Sequence, residues 1–183
     1  MRGFTDKPGA VIWGDRERQG GIMVDLTTDD VWRVLEKQNF MVVGMVSARG
    51  QARTAGVVPF TVDRALWFIT NANVWTARHI AVHPDVSVTV AIPKRVPLIP
   101  WIKVPAATIT FSGVAEAVPA DRMPAVARDA LTQGLKQVED GSEGILVGIR
   151  IRPVGDFITY GVGVPVITMR DTEAARGRAP SGG

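Results

Sequence analysis

The chain contains no cysteine. That excludes a disulfide framework, a thiolate metal site and a cysteine nucleophile, and it is compatible with a reducing compartment. Histidine is nearly as scarce, with only His79 and His83. A catalytic zinc site wants three protein ligands and an open position, and the segment carrying this pair offers no acidic third, so no metal is expected. No apolar run approaches the roughly 20 residues that span a bilayer, so no membrane partner is expected. No apolar stretch follows Met1-Arg2-Gly3-Phe4-Thr5-Asp6 as it would in a secretory signal, and the expected location is the cytoplasm. Basic residues form no stripe interleaved with aromatics, and the net charge is a modest +3, so nucleic acid is not an expected partner. No nucleophile elbow occurs, and Gly161-Val162-Gly163 lacks the third glycine of a dinucleotide fingerprint.

What is present is ordinary globular composition: 46% hydrophobic and 21% charged residues over 183 positions, enough for one domain with a real core. Residues 1–24 are glycine-rich, charged and without period, and read as an extended N-terminal arm. The folded domain is expected over 25–170, and the small, polar stretch 171–183 as a disordered tail. Thr27 with Asp30 three positions on predicts a capped helix over 28–38. Phe40 to Val46 is continuously apolar and predicts a strand buried on both faces. After the turn Ser47-Ala48-Arg49-Gly50, strands are expected over 53–60 and 66–70 in an antiparallel meander. A helix over about 74–82 ends at Pro84. Val86, Val88, Val90 and Ile92 then alternate with small residues, and the alternation returns around Ile109 and Phe111. Between them, the proline-rich apolar stretch 93–105 bars regular structure and needs a cover. Met123, Val126, Ala127, Ala130, Leu131 and Leu135 predict a further helix. Strands are expected at 145–151 and over 156–168. The sum is a mainly β (α+β) fold, an antiparallel barrel with peripheral helices.

One segment carries the best chemistry. Trp67-Phe68-Ile69-Thr70 runs as a strand into Asn71-Ala72-Asn73-Val74-Trp75-Thr76-Ala77-Arg78, where a helix starts. A helix start offers free N–H groups and a positive dipole end to an anion, Thr70 and Asn71 add hydrogen bonds, and Arg78 adds charge. The same residues also describe a capped helix with a solvated arginine. Trp67 reads as core. Trp75 and Trp101 read either as residues buried in a dimer or as a pocket wall.

This segment, ending in His83-Pro84-Asp85-Val86-Ser87, resembles the signature of the pyridoxamine 5'-phosphate oxidase-like flavoproteins. Gly50-Gln51-Ala52-Arg53 is similar to the turn whose arginine lies beside the flavin in that family. Pro105 to Gly113 and Thr159-Tyr160-Gly161-Val162-Gly163 resemble an uncharacterised bacterial branch of it. The resemblance covers roughly residues 27–170. It implies a split β-barrel, FMN as cofactor, a homodimer with cofactor sites between the chains, and an oxidoreductase acting on a small organic substrate. The cofactor-binding residues it implies are Arg53, Thr54, Phe68, Thr70, Asn71, Trp75, Thr76 and Arg78, with no catalytic side chain, since a flavin carries the electrons. The family's Ser-Arg-Lys is Val74-Trp75-Thr76 here, which removes both side-chain cations. A deazaflavin coenzyme or haem therefore stands beside FMN, and a non-catalytic, cofactor-sequestering dimer stands beside the enzyme.

Overall fold

A computed structural model of the chain describes residues 24–94, 104–129 and 145–182. The expected N-terminal arm, most of the proline-rich stretch with Trp101, and the later half of the helix expected from Met123 lie outside these residues.

The first helix, α1 (Thr28–Leu35), starts as its sequence requires. Thr27 accepts the Asp30 N–H through its hydroxyl at 3.2 Å, and Asp30 accepts the Thr27 N–H at 3.1 Å. The Thr27 bonds hold the Asp30 carboxyl below its ordinary pKa. Val31, Trp32 and Leu35 form the buried face.

Among the described residues, nine strands form one sheet. They are β1 (Val24–Asp25), β2 (Met41–Val46), β3 (Ala52–Val57), β4 (Phe60–Val62), β5 (Ala65–Asn71), β6 (Asp85–Ile92), β7 (Ala107–Pro119), β8 (Leu146–Tyr160) and β9 (Arg176–Pro180). The second helix, α2 (Trp75–Val82), lies between β5 and β6. Hydrogen-bonded order runs β1-β9-β8-β7-β6-β2-β3, with β5 on β8 and β4 on β5. Every pairing is antiparallel except β1 with β9. This is the antiparallel split β-barrel with peripheral helices that the sequence predicts.

The strand expected over 53–60 is two strands. Pro59 has no N–H to continue a ladder. The chain bends at Val58-Pro59, so β3 pairs with β2 while β4 pairs with β5. The meander expectation set β3 beside β5, and the two share no ladder.

The strands expected at 145–151 and 156–168 are one long strand, β8, which ends at Tyr160. One edge pairs with β7 throughout; the other pairs with β5 over Leu146–Ile151 and with β9 over Asp156–Tyr160. Gly155, at φ +75, sits at the changeover, where the β7 register also shifts. The tail expected to be disordered from Asp171 supplies β9. Its Gly177 and Ala179 are buried against β8, and alternation of small residues with Arg176 and Arg178 gives it an inner and an outer face. The Thr28 hydroxyl donates to Pro180 O at 2.7 Å and the Trp32 indole N–H to Ser181 O at 3.3 Å, which ties this strand to α1.

Inside the barrel, Met41, Val43, Val86, Val88, Val90, Ile109, Phe111, Ile149 and Phe157 pack with the apolar face of α1. The β6 alternation holds as predicted, but β2 buries one face only, with Val46 exposed. Its outer neighbours are Ser87 and Thr89 of β6, so an all-apolar run masks a period of two. A second cluster, Trp67 and Ala65 with Met123 and Ala127, lies on the other side of β5; residues 125–129 are helical, with Val126 exposed rather than in the apolar stripe.

Phe111 meets Phe157 edge to face at 5.2 Å, and Phe157 meets Trp32 at 5.6 Å. Phe111→Ala should destabilise the fold by about 3–5 kcal/mol, read by urea unfolding. A loss within about 0.5 kcal/mol, the range of surface substitutions, would remove Phe111 from the core.

Candidate functional site

The β5–α2 junction is built by its backbone. Asn71 ends the ladder with β8 opposite Leu146, and Ala72 N–H then donates to Ile145 O at 2.8 Å. The Asn71 side-chain oxygen accepts from Asn73 N–H at 2.9 Å, an Asx turn that an aliphatic residue cannot make. Asn71 O accepts from Val74 N–H at 3.1 Å, and the chain enters α2. Val74 occupies the cap position with extended backbone, and a valine side chain accepts no hydrogen bond. The first turn has no acidic residue either. Its N–H groups and the positive end of the helix are thus left without a side-chain partner.

The side chains divide into two sets. Thr76 is 7% exposed and faces inward with Ala77 and Ile80. Phe68 is 1% exposed and belongs to the barrel core, away from any surface ligand. Thr70 is half-buried in the ladder, opposite Val147. Val74 and Trp75, by contrast, are 37% and 45% exposed. Arg78 is exposed one turn further along. Trp75 lies against His79 with ring centroids 5.5 Å apart, and the half-buried His79 has its Nδ1 shielded and without a partner.

Arg53 and Thr54 come from β3, where they pair with Met45 and Gly44 of β2 and are exposed. They are not ladder neighbours of Thr70, because β3 and β4 part at Pro59. If the β4–β5 register were continued past the bend, Arg53 would stand opposite Val74 and Thr54 opposite Asn73. Beyond Trp67, β5 has no described ladder partner on its edge away from β8, and α2 starts from the end of that open edge. Arg53 donates to Gln51 at 3.1 Å, and among the described residues no carboxylate pairs with Arg53 or Arg78.

A second concave surface was not singled out by sequence reasoning. A groove of about 360 Å³ crosses the outer sheet face over Ser87, Thr89, Thr110, Ser112, Val154 and Ile158. Ser87 stands opposite Ser112 and Thr89 opposite Thr110. Ser87, Thr89, Thr110 and Ser112 were legible as the outward half of the alternation, whereas Val154, Ile158 and the Asp156–Arg178 ion pair at the groove's other side are brought there by the pairing of β8 with β7 and β9.

The family described as pyridoxamine 5'-phosphate oxidase matches residues 27–141. Comparison with curated proteins gives no match. Among solved structures, a haem-binding protein from Mycobacterium smegmatis aligns over 85% of this chain and 58% of its own, with 15% identity and a TM-score of 0.58. The haem storage protein HutZ from Vibrio cholerae aligns over 74% and 95% respectively, with 15% identity and a TM-score of 0.54. An FAD-binding protein from Mesorhizobium loti aligns over 70% and 91%, with 16% identity and a TM-score of 0.52. At these identities the likeness is one of fold.

Asn71→Ala removes the acceptor that shapes the junction. It should cost about 0.5–1.5 kcal/mol, the usual net worth of one such bond. Thermal denaturation of the variant, with Asn73→Ala as the control that keeps the backbone donor, checks this.

Proposed function

Because the chain belongs to the pyridoxamine 5'-phosphate oxidase family, we propose that it binds a flavin at the open edge of β5, by the start of α2. It then serves as a flavin-dependent oxidoreductase on a small organic substrate. The observation that carries this reading is the exposed apolar surface of Val74 and Trp75 at an uncapped helix start, with Arg53 and Arg78 unpaired by carboxylates. The ring of a flavin fits such a surface. Its phosphate fits less well: positions 74–76 hold no cation, and the Thr76 hydroxyl is turned inward. A bound flavin would supply the redox chemistry, while this chain would orient the ring and restrict access of water.

The same misfit favours a second reading, a cofactor-binding or sequestering protein without turnover. Haem offers a flat ring with no phosphate. Two proteins of this fold, from M. smegmatis and V. cholerae, are haem proteins, which supports testing haem beside FMN and a deazaflavin coenzyme.

A homodimer belongs to this proposal. Antiparallel sheets that face water usually carry charged or polar outer residues. Here the centre of the outer face carries only small side chains, Gly44, Ser87, Thr89, Ala91, Thr110 and Ser112, with no charge among them, which suits close sheet-on-sheet contact with a second copy at about 10 Å.

The visible spectrum of the purified protein, with mass spectrometry of any small molecule released on denaturation, separates the readings: a flavin, a deazaflavin, a haem or nothing. In titration of the emptied protein, Arg53→Ala should weaken FMN binding about tenfold, and unchanged affinity would remove Arg53 from the site. Light scattering at micromolar concentration should give twice the chain mass; a monomer would refute the dimer.

A further inference from the structure

Trp75, Arg78, His79 and Val82 follow one another at spacings of three and four, so they share one face of α2. Trp75, Arg78 and Val82 are exposed on it. The Trp75 indole meets the His79 ring at a 58° tilt and meets no other ring among the described residues. It is thus held at one side while nearly half of its surface stays open. His79 is anchored more deeply, with Nδ1 enclosed, and can act as a fixed stop behind the indole.

Charge is missing where a phosphate handle needs it. Hydrogen bonds to a phosphate from cationic side chains are roughly twice as strong as neutral ones. Val74, Trp75 and Thr76 supply none, and only the neutral N–H groups of the first turn remain. Arg78 lies three positions further on along the same helix face, not ahead of the helix start. The largest group the junction presents to a ligand is therefore the aromatic face of Trp75.

We infer that Trp75 is a stacking platform for a planar conjugated ring, and that this site selects its ligand by the ring and not by a terminal phosphate. The inference rests on the cofactor reading above and narrows it. A flavin ring and a porphyrin share this chemistry; FMN, riboflavin and haemin separate them. The three ligands are titrated by calorimetry into the full chain freed of small molecules, as wild type, Trp75→Ala, Trp75→Phe and Trp75→Arg. Trp75 is nearly half exposed, so these variants should keep the wild-type melting temperature within a few degrees, which is checked first.

Wild type should bind at least one of riboflavin and haemin, and FMN should exceed riboflavin by less than about tenfold, because the phosphate adds little. Trp75→Ala should weaken every bound ligand by about tenfold or more, Trp75→Phe by less than about threefold, since a ring is kept. Trp75→Arg should bring back a phosphate preference, with FMN ahead of riboflavin by more than about tenfold. Wild-type FMN affinity at least about 100-fold above that of riboflavin would leave the flavin reading standing and overturn the platform. So would Trp75→Ala binding as tightly as wild type. If none of the three ligands binds wild type, the cofactor reading and the platform both fail.

Discussion

The fold turns on one strand that cannot satisfy two partners at the same place. β8 is 15 residues long, and its edge away from β7 is shared in succession by β5 and β9. A strand edge offers one donor or acceptor per position, so the two neighbours can follow each other along it but never overlap. Gly155 makes the changeover possible: its positive φ and the register shift against β7 swing the second half of β8 into a new direction. Pro153 lies in the stretch Arg152–Gly155, between the two ladders, where its missing N–H breaks no β5 or β9 pairing.

The candidate site follows from that division. β8 pairs with β5 from Leu66 to Asn71, whereas the short strand β4 covers only Ala65–Trp67 on the other edge, so the last residues of β5 have one neighbour fewer. Pro59 keeps β3 from closing the gap. A helix start placed at such a gap keeps its N–H groups in reach of a ligand, and the residues around it decide which ligand that is. Here the helix start carries no side-chain cap, and the exposed side chains beside it are Val74 and Trp75.

The parts legible in the sequence were those set by local chemistry. Thr27 and Asp30 announce their helix by a reciprocal bond that needs nothing else. Val86, Val88 and Val90 announce a half-buried strand because serine and threonine alternate with them. β2 was misread because its outer residues are also apolar, and only the neighbouring strand decides that they face out. β9 was missed because the inward half of its alternation is only Gly177 and Ala179, too small to read as apolar; pairing with β8 and β1 makes the segment a strand. In the site, position along the chain identified Asn71 and Trp75 at the junction, but burial depends on the direction of each side chain. Phe68 and Thr76 are buried, whereas Thr70, Val74, Trp75 and Arg78 close by along the chain are half-buried or exposed.

The bond from Thr28 to Pro180 joins residues 152 positions apart, and β1 pairs with β9 across a similar distance. Contacts so remote in sequence form late, because a long loop must be ordered before they reward it. During synthesis α1 can meet the barrel strands as they are made, but its bonds to Pro180 and Ser181 cannot form until the β9 segment has left the ribosome. Until then the core lacks Ala175 and Ala179. Translation pausing before residue 176 would lengthen that vulnerable interval, whereas a pause after residue 182 would not.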